Sequence, residues 1–197
     1  MARLILLLVG MVALAAYLSR IAQRARLERI AQIRSRFLVA APAPRPHGPV
    51  RKDVALRNGA VSLEIPRHWS EEYPNEEQAS FRDPANPERV LRLAWASLPQ
   101  PDGGLSSALG GQAATKATTI DELAAGKRLL KEVVASREGS RDVLLFRWLL
   151  AVARPSARVG VATFSLTLSE PALRDPLTWD TLAMVELAIR ASRVNAV

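Results

Sequence analysis

The side chains best equipped for chemistry crowd into ten residues: His68, Glu71, Glu72, Glu76 and Glu77, with Ser70 among them. Carboxylate oxygens and an imidazole at this density could hold Ca²⁺ or Mn²⁺ through oxygen ligands. Their spacing matches no coordinating loop, so a solvated acidic loop is the preferred reading. Ser70, His68 and Glu71 also supply the three types of a nucleophile–base–acid triad. Such a triad needs a nucleophile held at hydrogen-bond distance by a strained turn, and neighbours in sequence rarely meet that geometry. As the most acidic patch of the chain, the five residues are the candidate partner-facing surface.

Elsewhere the chemistry is thinner. Cysteine is absent, which excludes disulfides, thiol catalysis and cysteine metal sites. The second histidine, His47, lies in a proline-rich spacer and reads as an exposed linker residue. No G-x-S-x-G elbow occurs, and Gly103-Gly104 and Gly110-Gly111 lack the Lys-Ser/Thr of a phosphate loop. The four tryptophans read as core or turn packing. No catalytic residue, metal ligand or cofactor is assigned, and the chain is expected not to be an enzyme.

The elements that position the acidic patch begin with the clearest turn signal in the chain. Val54–Arg57, Asn58-Gly59 and Ala60–Ile65 predict a β-hairpin closed by a type I′ turn. Pro66 ends its second strand and Arg67-His68-Trp69 follows as a turn. Gln78–Arg82 is a short strand, Asp83–Pro87 a turn rich in breakers, and Arg89–Leu98 a longer strand with Leu91, Leu93 and Trp95 on one face. Leu105–Ala125 reads as a helix, although Thr119 and Glu122 have capping-box spacing and Gly126 suits a helix end. Leu129–Arg137 inclines to strand through Val133 and Val134. Asp142–Ala153 and Arg158–Leu168 form the core hairpin. The first is apolar on both sides, the second alternates Phe164, Leu166 and Leu168 with Thr163, Ser165 and Thr167. Asp175-Pro176 caps a terminal helix whose buried stripe is Leu182, Val185 and Ile189, running to about Val194.

Ahead of that domain lies Leu4–Leu18, part of a sixteen-residue stretch (Leu4–Ser19) without a charge. As a helix it spans roughly 24 Å, short of the ~30 Å hydrocarbon core, a gap that snorkelling of Arg3 and Arg20 closes. A cleaved leader is the competitor, since Ala13-Leu14-Ala15 has the A-x-A form. Arg20, Arg24, Arg26 and Arg29 argue for the anchor, because such a flank resists translocation and marks the cytoplasmic side. Within Arg20–Phe37, Leu27, Ile30, Ile33 and Phe37 share one side with Arg26 and Arg34, an interrupted stripe. That segment is a solvated stalk, or a helix along anionic headgroups. The expected divisions are an anchor at 1–19, a basic juxtamembrane helix at 20–41, a linker at 42–49 and an α/β domain at 50–197.

The net charge of +8 suggests nucleic acid until it is divided. Residues 1–49 carry eight arginines and one glutamate, whereas residues 50–197 carry 19 basic and 18 acidic side chains. The basicity belongs to the membrane-proximal segment, which excludes a nucleic-acid groove in the domain.

The order of elements resembles the PsbP-like family, which includes extrinsic photosystem II subunits and Ran-GTPase-binding relatives. Three stretches carry the likeness: VSLEIPRHW (Val61–Trp69), FRDPANPERVLRLAWASL (Phe81–Leu98) and VLLFRWLLAVARPSARVGVATFSL (Val143–Leu166), leading into the terminal helix. The resemblance implies an α+β fold, an antiparallel β-sheet sandwiched by helices and here preceded by an N-terminal transmembrane helix. It further implies a non-enzymatic accessory or binding role, and carries over no ligand residues. The expected protein is a single-pass subunit of the inner (plasma) membrane. Its domain would lie on the cytoplasmic side and dock on another membrane protein or complex, with lipid bilayer and anionic headgroups as further partners and no nucleic acid. The alternative is an exported periplasmic ligand-binding domain.

Overall fold

A computed structural model describes residues 2–39, 50–102, 104–110, 118–124, 126–139, 141–154 and 157–195. In the first segment, side chains are described from Tyr17 onward. The chain divides into two compact units, Met1–Val39 and Ala40–Val197.

The first unit is a single helix, α1 (Ala2–Val39), which at ~1.5 Å per residue is about 57 Å long. Its composition explains its continuity, since proline is absent and alanine, leucine and arginine prevail. Tyr17, Leu18, Ile21 and Leu27 are exposed. Among the described residues, no helix is long and apolar enough to cross a membrane. Most of Leu4–Leu18, on which the anchor expectation rests, lies outside the described side chains.

The second unit is α+β and mostly antiparallel sheet. Ten strands run β1 (Arg51–Ala55), β2 (Val61–Pro66), β3 (Ser70–Asn75), β4 (Gln78–Arg82), β5 (Val90–Pro99), β6 (Thr118–Ala124), β7 (Lys127–Glu138), β8 (Arg141–Arg154), β9 (Arg158–Ser169) and β10 (Arg193–Val194). Helix α2 (Gly104–Gly110) follows β5, and α3 (Pro176–Ala191) follows a 3-10 turn at Ala172–Arg174. Seven strands form one sheet in the order β3-β4-β5-β9-β8-β7-β6, and β1-β2-β10 form a small second sheet.

Alternation along β9 sets the layers. Phe164, Leu166 and Leu168 are buried, as are Phe146, Trp148 and Leu150 on β8, and Leu91 and Leu93 on β5. Cross-strand register places these residues on one face, with Phe146 opposite Leu166 and Leu93 opposite Phe164. Each such side chain stabilises the fold by roughly 1.5–3 kcal/mol. Helix α3 packs on this face through Leu182, Val185 and Ile189. On the opposite face α2 covers one corner, where Leu109 meets Leu130, Leu149, Ala151, Val159 and Val161. Beyond that corner the sheet is lined by the partly exposed Thr163, Ser165 and Thr167. The expected two-sided sandwich is therefore lopsided.

Several expectations need correction. The first hairpin closes through Leu56 N–H to Val61 O at 2.9 Å and Gly59 N–H to Leu56 O at 2.8 Å. Only Gly59 has positive φ (+69°) in this turn, so it is a four-residue loop and not type I′. Asn58 serves it through its side chain, Oδ1 accepting from Ala60 N–H at 2.9 Å. Glu71 and Glu72 lie on a strand, β3, and not in a loop. The helix expected over Leu105–Ala125 is limited to α2, with Thr119 and Glu122 on β6; residues 111–117 lie outside the described residues. The terminal helix stops at Ala191, three residues early, because Arg193 and Val194 pair with Ser62 and Val61 of β2.

Candidate functional site

The acidic patch is built on the outermost strand of the large sheet. Register pairs Glu71 with Phe81 and Glu72 with Ser80, so these adjacent carboxylates face opposite sides. Glu71 turns toward the small sheet, where Lys52 Nζ lies 2.6 Å from its Oε1. Tyr73 donates its hydroxyl to Glu71 Oε2 at 2.7 Å, and its ring stands edge-on to Phe81. The hydrogen bond from Lys52, seconded by that from Tyr73, holds the Glu71 carboxyl below its ordinary range. Burial pushes the Tyr73 phenol up to about 12, reinforced by its bond to Glu71. Glu76 and Glu77 form the β3–β4 turn, in which Asn75 Oδ1 accepts from Glu77 N–H at 2.9 Å. Both side chains are exposed, as is that of Glu72.

His68 sits apart from these glutamates, in the β2–β3 turn, with Nε2 3.8 Å from Asp83 Oδ1. Ser70 donates toward the Arg82 carbonyl at 3.5 Å, and not to His68. The three residue types of the triad are thus not assembled. Among the described residues, no group of three or more His, Asp or Glu side chains could hold a metal ion. What the structure does bring together is an acidic, proline-containing sheet edge. Charge and Pro74 on an edge strand also hinder pairing with another chain's strand, an architectural role that competes with a docking one.

Two charge networks lie deeper. Asp83, 5% exposed, accepts from Arg89 Nη1 at 3.3 Å. Arg89 Nη2 donates to Asp175 Oδ2 at 2.7 Å and to Thr178 Oγ1 at 3.3 Å. Asp175 uses its other oxygen to cap α3, accepting from Leu177 N–H at 3.0 Å. One arginine thereby fastens the β4–β5 turn to the start of α3. At the far end of the helix, Lys131 Nζ lies 3.1 and 3.0 Å from the two carboxylate oxygens of Glu186. Both are under 4% exposed. Arg190 joins Glu186 to Asp121 of β6, and Lys127 donates to the Arg190 and Ser192 carbonyls at 3.0 and 2.8 Å. Burial lowers the Lys127 pKa.

Sequence reading missed both networks, although each left a trace. Lys131 interrupts the face of β7 that carries Leu129 and Val133, and Glu186 adjoins the stripe Leu182, Val185, Ile189. A charge on an otherwise apolar face implies a buried partner.

No protein-family model matches the chain, and no curated protein matches it in sequence. Solved structures resemble it in shape. A protein of Bacteroides thetaiotaomicron VPI-5482 aligns with TM-score 0.51 at 10% identity, over 74% of this chain and 48% of its own. The chain thus spans about half the length of that protein. The Ran-binding protein Mog1p of Saccharomyces cerevisiae aligns with TM-score 0.47 at 12% identity, over 75% of this chain and 96% of its own. At such identities the likeness is one of fold alone. Assignment to the PsbP-like family is accordingly corrected: the chain shares an α+β architecture with these neighbours, and no family is shown.

Proposed function

We propose that the chain is a membrane-tethered docking subunit, holding a rigid α/β domain against another membrane protein on the cytoplasmic side. The division of charge carries this reading: eight arginines and one glutamate precede residue 50, against 19 basic and 18 acidic residues after it. In this reading the apolar run within α1 is the anchor, and its arginine flank meets anionic headgroups, each arginine contributing about 1 kcal/mol. The domain suits a binding role because its buried charges tie elements together, as Arg89 and Lys131 do. The exposed carboxylates of Glu72, Glu76 and Glu77, with His68 nearby, are the candidate contact surface.

Carbonate extraction followed by protease treatment of spheroplasts tests the proposal. The full-length chain is expected in the membrane pellet, with its domain protected from external protease. Recovery in the carbonate supernatant, or digestion from outside, overturns it. A mature N-terminus beginning after Ala15 would establish the exported alternative.

A further inference from the structure

Antiparallel sheets tolerate one solvated face, but the face opposite α3 is not an ordinary solvated one. Cross-strand register aligns one polar row over six strands: Glu72 opposite Ser80, Ser80 opposite Arg92, Arg92 opposite Ser165, Ser165 opposite Arg147, and Arg147 opposite Glu132. Ser165 therefore has a guanidinium on either side, about 4.8 Å away at each step between strands. Around it the face is low, because Ala94, Thr163 and Thr167 carry short side chains and are partly exposed. Arg92 is exposed at one end of the central trio. At the other end Arg147 is fixed by Glu132, which is fully buried. Burial lowers the pKa of Arg147, so its charge is poorly solvated where it stands.

We infer that this face receives an acidic amphipathic helix of a partner protein, lying along the Arg92–Ser165–Arg147 row. Short side chains let a helix backbone approach closely, and the added layer completes the sandwich that α2 covers only at one corner. The two guanidiniums are about 9.6 Å apart across two strand steps, close to the ~10.5 Å between residues seven apart on a helix. Carboxylates at those two positions reach both arginines, while alanine or serine between them rests on Ser165 and Thr163. The charge fits this partner and repels a basic one. This surface is separate from the acidic β3 edge and rests on the docking reading only in requiring a protein partner. A chain found outside the membrane that still binds the helix would refute the anchor and leave this inference standing.

The test uses the full chain in detergent micelles and a fluorescent 18-residue helical peptide, alanine-rich, with glutamates seven apart on one face. Fluorescence anisotropy should show saturable binding that is lost when the peptide carries lysines instead. Arg92→Glu should weaken it about tenfold or more, and Ser165→Trp should abolish it, with unchanged circular dichroism. Glu76→Lys combined with Glu77→Lys should leave it intact. The inference is overturned if the glutamate peptide does not bind, or if binding survives Arg92→Glu and Ser165→Trp. It is equally overturned if Arg92→Glu abolishes only vesicle binding to phosphatidylglycerol, or only self-association in sedimentation. Those outcomes assign the face to lipid or to a second copy.

Discussion

The two faces of the large sheet are made from the same strands and do opposite work. On β9, Phe164 and Leu166 are wholly buried, while Thr163 and Ser165 between them remain partly exposed. The covered face has matched large side chains to an overlying helix and small sheet, and its charges are spent internally, as in Lys131 with Glu186. The other face carries arginine, serine and threonine in register and little bulk. Stability therefore resides on one side of a strand and adaptability on the other, within a single residue step.

The largest effects should come from the covered face. Phe164→Ala is expected to cost about 3–5 kcal/mol in urea unfolding, as for other buried aromatics. Lys131→Ala should cost a similar ~3–5 kcal/mol by stranding the Glu186 carboxylate, whereas Lys131→Met with Glu186→Leu should recover most of the loss. If the double substitution is as damaging as the single, the pair is more than a matched charge. Gly160 comes next: a Cβ there would lie 2.1 Å from Trp95 Cη2, and the indole also receives Arg154 across its ring at 5.5 Å. Gly160→Ala should therefore cost about 1–3 kcal/mol and perturb tryptophan fluorescence. On the open face, Thr163→Ser should stay within about ±0.5 kcal/mol. A loss of several kcal/mol there would erase the distinction between the faces.

The smallest effect concerns pH. Because its partners depress the Glu71 pKa, its contribution is complete above the unfolded carboxyl value. It fades as pH falls through the folded one. Titration should show the link between β1 and β3 weakening only in acid, with Glu71→Gln flattening that part of the stability profile.

How much of this could be read from the chain alone depended on where each strand's partners lie. The core hairpin, the short strand at Gln78–Arg82 and the Asp175 cap follow from local pattern, and all are present. Strand β3, SEEYPN, was read as a loop because an edge strand with charge on both sides gives no apolar alternation. Strand β6, TTIDELA, mixes helix formers with threonine, and its pairing to β7 decides against its propensity. The charge networks join residues 55 and 86 positions apart, beyond any periodicity. The acidic residues were legible as a patch, but not the sheet edge that separates Glu71 from Glu72. The polar row over Ser165 exists only through register, so no single stretch of sequence announces it.

The short last strand has a consequence for how the domain is made. Val194 pairs with Val61, Asn195 N–H donates to the Ala60 carbonyl at 2.9 Å, and its side-chain amide donates to Gly59 at 2.9 Å. The domain's opening hairpin thus lacks its third strand until residues 193–195 have left the ribosome. A nascent chain holds that hairpin open through nearly the whole of synthesis, and the final residues act as the latch of a ring closed end to end.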